Sequence, residues 1–152
     1  MYPDERVGKF VTEHFIAVRI HVREQADAWK RVGGQYGVQW TPTILLIDST
    51  GDERHRIEGF LPTDDFLAQL KLGWAQLAFA AGRFGDAENR FRAVVQEHPD
   101  SDAAPEALYW AGVSRYKATN DPSALADTAK GFAERYQGST WAKKSSVWAR
   151  NP

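Results

Sequence analysis

Cysteine is absent from this chain. Without a thiol the chain cannot form disulfides, offer a thiolate nucleophile or ligate zinc through sulfur. A chain without thiols is also indifferent to the redox poise of its compartment. Long apolar runs are missing too. The longest stretches are short strands or amphipathic pieces, well below the roughly 20 residues that span a bilayer. The first residues, Met1-Tyr2-Pro3-Asp4-Glu5, have neither the basic start nor the apolar core of a signal peptide. No basic run and no acidic tail is present, and the formal net charge is -1. Nothing global pulls the chain toward nucleic acid or anionic lipid. These absences point to a chain without membrane or nucleic-acid partners, and a cytoplasmic location is expected.

What remains is an ordinary globular composition, 43% hydrophobic and 26% charged over 152 residues. That length allows one domain, or two small units sharing a core. Six tryptophans stand in both halves and require a packing account first.

Pro3, Asp4 and Glu5 read as a helix start, followed by Val7, Phe10, Val11, His14 and Phe15 at helical spacing. Ile16, Val18, Ile20 and Val22 alternate with smaller or polar residues and predict a strand over residues 16–22. A helix is expected over residues 24–32, ended or bent by Gly33-Gly34. Residues 43–48 are the second predicted strand, and Ser49-Thr50-Gly51-Asp52 a tight turn. Residues 53–60 are the third strand, antiparallel to the second. Thr63 is the expected N-cap of a helix that buries Phe66, Leu67, Leu70 and Trp74. Pro42 opens the second strand, the place where a residue without a ladder donor fits.

After about Gly73 no strand signal remains. Breaks at residues 82–85, 99–102, 119–122 and 137–139 delimit helices of roughly 12 to 16 residues. "EHPDSDAA" at 97–104 echoes "RYQGSTWA" at 135–142, an offset of 38 that also aligns Val94 with Phe132 and Trp110 with Trp148. Such periods mean stacked helix pairs.

The first half resembles the C-terminal part of the thioredoxin-like fold. The resemblance rests on "EHF", "IAVRIHV", "YGVQWTPTILLID", "STGDE", "HRIEGF" and "DDFLAQL". It implies a cis bond before Pro42 and an exposed backbone at Thr41. The second half resembles tetratricopeptide repeats. In "AAGRFGDAENRFRAVVQEHPDS", Gly82, Ala87, Phe91, Val94 and Pro99 match that pattern, Val94 being larger than the usual alanine. "PEALYWAGVSRYKA" opens a degenerate second copy with Gly112 at the small position. The implied architecture is α/β plus all-α. A partial thioredoxin-like sheet of about three strands with flanking helices occupies residues 1–80 and runs into a helical array over residues 68–152. A helix over about 63–81 is shared.

Thioredoxin-like enzymes carry cysteine at the start of the helix before "EHF", and a strand before that. Both are missing here, and the missing strand is central, between the strands at 16–22 and 43–48. Losing a few hundred Å² of apolar burial at about 25 cal/mol per Å² costs several kcal/mol, a large share of the 5–15 kcal/mol that stabilises a domain. Direct pairing of the remaining strands or a second copy must compensate. The expectation is a homo-oligomer, with strand exchange as one route.

Other features have plain readings. His21 and His55, on neighbouring strands, lack a third ligand of convincing spacing, so surface histidines are favoured over a metal pair. His14 and His98 are read the same way. Asp64-Asp65 and Asp100/Asp102 stand at helix starts, where capping outweighs acid-base chemistry. Gly33-Gly34-x-x-Gly37 lacks the Lys-Ser/Thr of a phosphate loop. Lys143-Lys144 near Trp141 and Trp148 reads as a solvated face. Trp74, Trp110 and Trp148 are mostly core, though a residue lining a repeat groove can also anchor a peptide. For Trp40, near the substrate-facing surface that the resemblance implies, core packing and partner contact balance.

The resulting expectation is a non-catalytic protein-interaction module without cofactor or metal. Its contact residues are Trp40, Thr41, Pro42 and Trp110, and its partner is protein or peptide. The alternative is a fragment of a thiol-disulfide oxidoreductase whose cysteines lie upstream of Met1.

Overall fold

The computed structural model describes residues 4–150, the side chain of Arg150 excepted. Pro3, expected at the first helical turn, lies outside the described residues. The chain divides into two compact units at Thr63/Asp64.

In the first unit, α1 spans Glu5–His14 and α2 spans Ala26–Gln35. The side chain of Asp4 accepts from the backbone N–H of Arg6 at 2.8 Å and caps α1. α2 runs through Gly33-Gly34 to Gln35, so the glycine pair does not end it. Glycine costs a helix only about 1 kcal/mol relative to alanine, so neighbours can carry it through. The stop lies at Gly37, whose φ of +60° suits a residue without Cβ. The N–H of Val38 reaches back to the carbonyl of Gly33 at 2.8 Å, closing the left-handed C-terminal cap.

Among the described residues the sheet has two strands, where three were expected. β1 (Thr43–Ile47) pairs antiparallel with β2 (Glu53–Glu58), Thr43 opposite Glu58 and Leu46 opposite His55, with a bulge at Leu46/Ile47. Residues 16–22 make no strand, and His21 is therefore not on one. Their alternation is strand-like, but β-propensity is realised only against a paired neighbour. No strand lies alongside them among the described residues, and Ile16 and Val18 are almost fully exposed.

Asp48 organises the turn between β1 and β2. Its Oδ1 accepts from the N–H groups of Thr50 (2.9 Å) and Asp52 (3.0 Å), and its Oδ2 from Arg54 Nε (2.6 Å). The Thr50 hydrogen bonds, then Arg54, hold its carboxyl well below the usual carboxylate range. Arg56 bonds Glu53, Glu58 and the carbonyl of Tyr36, tying the hairpin to the end of α2.

The second unit is helical. It comprises α3 (Thr63–Ala80), α4 (Phe84–Glu97), α5 (Ala103–Thr119), α6 (Ser123–Glu134), α7 (Thr140–Ser145) and a closing 3-10 turn. Ala68, Leu72, Ala75 and Ala78 of α3 meet Ala87, Phe91, Val94 and Val95 of α4 and Ala103, Ala107 and Ala111 of α5 in one buried cluster. Small residues let the helices approach closely. At the crossing of α5 and α6 the approach is extreme, because a Cβ on Gly112 would lie 2.0 Å from Thr128 Oγ1. The sequence echo recurs in the packing, since Val94 and Phe132 are both buried. The Tyr136 hydroxyl donates to the carbonyl of Pro99 at 2.6 Å and ties the two echoed turns together. Asp64 and Asp65 fall in the first turn of α3 as expected, whereas Asp102 precedes α5 without a side-chain cap bond.

Candidate binding surfaces

The elbow before β1 collects three of the four predicted contact residues. The Thr41–Pro42 peptide bond is cis. The Thr43 hydroxyl donates to the carbonyl of Trp40 at 2.8 Å, and the N–H of Gly59 donates to the carbonyl of Pro42 at 2.8 Å. The elbow is thus fastened on both sides of Thr41. The backbone of Thr41 itself makes no hydrogen bond among the described residues. Pro42 is half-buried and Thr41 exposed. Trp40 is 67% exposed, so core packing does not hold its ring.

Trp110 stands in the second unit and is half-buried. Its ring meets Phe79 edge-on at 5.1 Å and Tyr109 at 5.5 Å, with Trp141 at 6.4 Å. Tyr109 in turn packs on Trp141 at 5.1 Å and stacks on Trp148 at 4.7 Å. Lys144 places its ammonium 4.0 Å above the Trp141 ring. The three repeat-spaced tryptophans therefore serve different contacts. Trp74 lies under the Arg90 guanidinium at 3.5 Å, Trp110 leans on Phe79, and Trp148 covers Tyr109.

Two residues of this cluster, one aromatic and one acidic, escaped sequence reasoning. Tyr109 is its hub, and Glu106 sits one turn before Trp110. Burial raises the Glu106 carboxyl above its usual range, while the Trp110 N–H and Lys144 pull it back. Among the described residues the buried Trp110 Nε1 has no hydrogen-bond partner. The helical offset from 106 to 110 was the available signal that Glu106 and Trp110 lie on one face of α5.

Among the described residues no group of three or more histidines and acids is placed to hold a metal ion. His21 instead accepts from the N–H of Glu24 at its Nδ1, 3.2 Å away. No described helix is long and apolar enough to cross a membrane.

Residues 1–74 match the family model for a thioredoxin-like domain, and residues 67–101 match that for a tetratricopeptide repeat. The chain carries a thioredoxin-like domain followed by a tetratricopeptide repeat. No curated protein and no solved structure matches it significantly. The two matches overlap over residues 67–74, inside α3, so this helix belongs to both patterns. In the thioredoxin-like domain the exposed ring of Trp40 and the bare backbone of Thr41 adjoin one strand. In the second unit, α3 and α4 supply most of the buried cluster, α5 supplies the rest, and α6 packs against α5.

Proposed function

We propose that this chain is a non-catalytic protein-interaction module that binds an extended protein or peptide segment at Trp40, Thr41 and Pro42. Trp110 is a further contact on the repeat face, and the module self-associates as a cytoplasmic homo-oligomer. In this reading the thioredoxin-like unit covers residues 1–80, the repeat array residues 68–152, and the helix at about 63–81 serves both. One observation carries the proposal: a 67% exposed tryptophan stands beside a residue whose backbone is unpaired at the start of a strand. An extended peptide can pair with such a backbone, while an aromatic ring supplies the anchor. The tetratricopeptide match supports protein as the partner class, because stacked helix pairs present surfaces used for protein contact.

The test is selection of peptides on the purified chain, followed by titration of the best binder. Trp40→Ala is expected to weaken it about 30-fold, the loss of one anchoring aromatic at about 2 kcal/mol. Unchanged affinity for every selected peptide would refute the surface at Thr41. The thioredoxin-like match supports a second reading, in which the chain is part of a thiol-disulfide oxidoreductase that supplies its cysteines elsewhere. An in-frame strand pattern and Cys-x-x-Cys in the coding DNA before Met1 would favour it, and a stop codon there would end it.

A further inference from the structure

Residues 15–21 lie outside every helix, turn and ladder of the structure: α1 closes at His14 and a turn begins at Val22. Phe15 has extended backbone, with φ -135° and ψ 154°. Ile16 is 97% exposed and Val18 80% exposed. Ile16, Val18 and Ile20 share one parity, and Ala17, Arg19 and His21 the other, so in an extended chain the two sets face opposite ways. Protected edges carry proline, lysine or an inward-facing charge. The apolar row here carries none.

We propose that residues 15–21 pair antiparallel with the same residues of a second copy, about a two-fold axis through Val18. The inference rests on the self-association proposed above and supplies its surface and register. Directly opposed residues of an antiparallel pair share a face, so only registers that match parity keep the apolar row together. The Phe15 N–H is already bonded to the Val11 carbonyl, and the His21 N–H and carbonyl to Gln25, so the free backbone is 16–20. Centring on Val18 uses all of it, with Phe15 and His21 as a non-hydrogen-bonded end pair. Phe15 then opposes His21, Ile16 opposes Ile20, Ala17 opposes Arg19, and Val18 opposes itself. One face gathers Ile16, Val18 and Ile20 from both copies, and no like charges meet. Centring on Arg19 sets two guanidiniums against each other, which is destabilising, and draws in the turn at Val22. Centring on Ala17 requires His14, which α1 holds. The match of segment to itself is what an isologous interface requires, and it favours a second copy over an unrelated strand.

Because the chain has no cysteine, a single introduced cysteine reports only on its own counterpart. The full-length variants Ala17→Cys, Val18→Cys and Arg19→Cys would be oxidised mildly at about 100 µM, and the disulfide dimer followed. Val18→Cys is expected to couple about tenfold faster than the other two, whose thiols lie diagonally across the ribbon, beyond disulfide reach. Faster coupling through Arg19→Cys would overturn the register. Val18→Lys, at an exposed position, should leave the circular dichroism unchanged and abolish the wild-type dimer in sedimentation. A dimer that survives Val18→Lys overturns this surface while self-association stands. A monomeric wild type at the same concentration overturns both, and peptide binding at Trp40 is read independently.

Discussion

At the residue scale, two side chains with unusual surroundings make sharp predictions. Gly112 sits where any Cβ would collide with Thr128, so Gly112→Ala must push α5 and α6 apart. Such overpacking costs about 1–3 kcal/mol, and the helical transition in thermal melts should fall accordingly. Glu106 is mostly removed from water, which favours its protonated form in the folded chain. Its folded pKa therefore lies above the unfolded one. The stabilisation is fully present below the ordinary carboxyl value of about 4.3 and is lost as pH rises through the raised folded value. Glu106→Gln should then melt higher than wild type at pH 7, and the gain should vanish below about pH 4. A constant gain across pH would mean that packing, and not ionisation, sets the difference.

At the scale of elements, α2 separates two uses of glycine. Gly34 lies within the helix, and a Cβ there would meet nothing within 4 Å. Gly34→Ala should stabilise the chain by about 0.4–1 kcal/mol by reducing the freedom of the unfolded state. Gly37 holds a φ of +60° in the cap, and Gly37→Ala should destabilise by about 1 kcal/mol. Denaturant midpoints of the two variants should move in opposite directions. The same helix shows how far local reading reached. Its existence was legible from Ala28, Trp29 and Val32, but its end was not, because Gly33-Gly34 and Gly37 carry the same letter. Only the backbone angle tells a tolerated glycine from a required one.

At the scale of the whole molecule, the two units differ in what they bury. The buried apolar side chains of the first are Val7, Leu46 and Ile57, whereas the second has a cluster drawn from α3, α4 and α5. The large apolar side chains left exposed follow the reverse pattern. Ile16, Val18, Val22, Trp40, Ile47 and Phe60 are in the first unit and Val147 in the second. Local opening free energy follows burial. Amide exchange should therefore be slowest in α4 and α5 and faster by orders of magnitude in α1 and α2. Protection of α1 that matched α4 would show that the first unit is covered in solution, as pairing through residues 15–21 would achieve in part.

The sequence by itself determined the hairpin, the approximate breaks between helices after Gly73 and the order of an α/β part before a helical one. Each of these rests on short-range signals: a proline before an apolar run, a Gly-bearing turn, caps and breaks at regular spacing. Tertiary structure decided the rest. A strand exists only when another strand accepts its hydrogen bonds, so the alternation at 16–22 could not become β-structure on its own merits. Which tryptophan is exposed was equally beyond local reading. Trp40 and Trp110 both sit beside turn or helix signals of ordinary strength. The neighbours that bury one ring and leave the other in water come from elements distant in the chain.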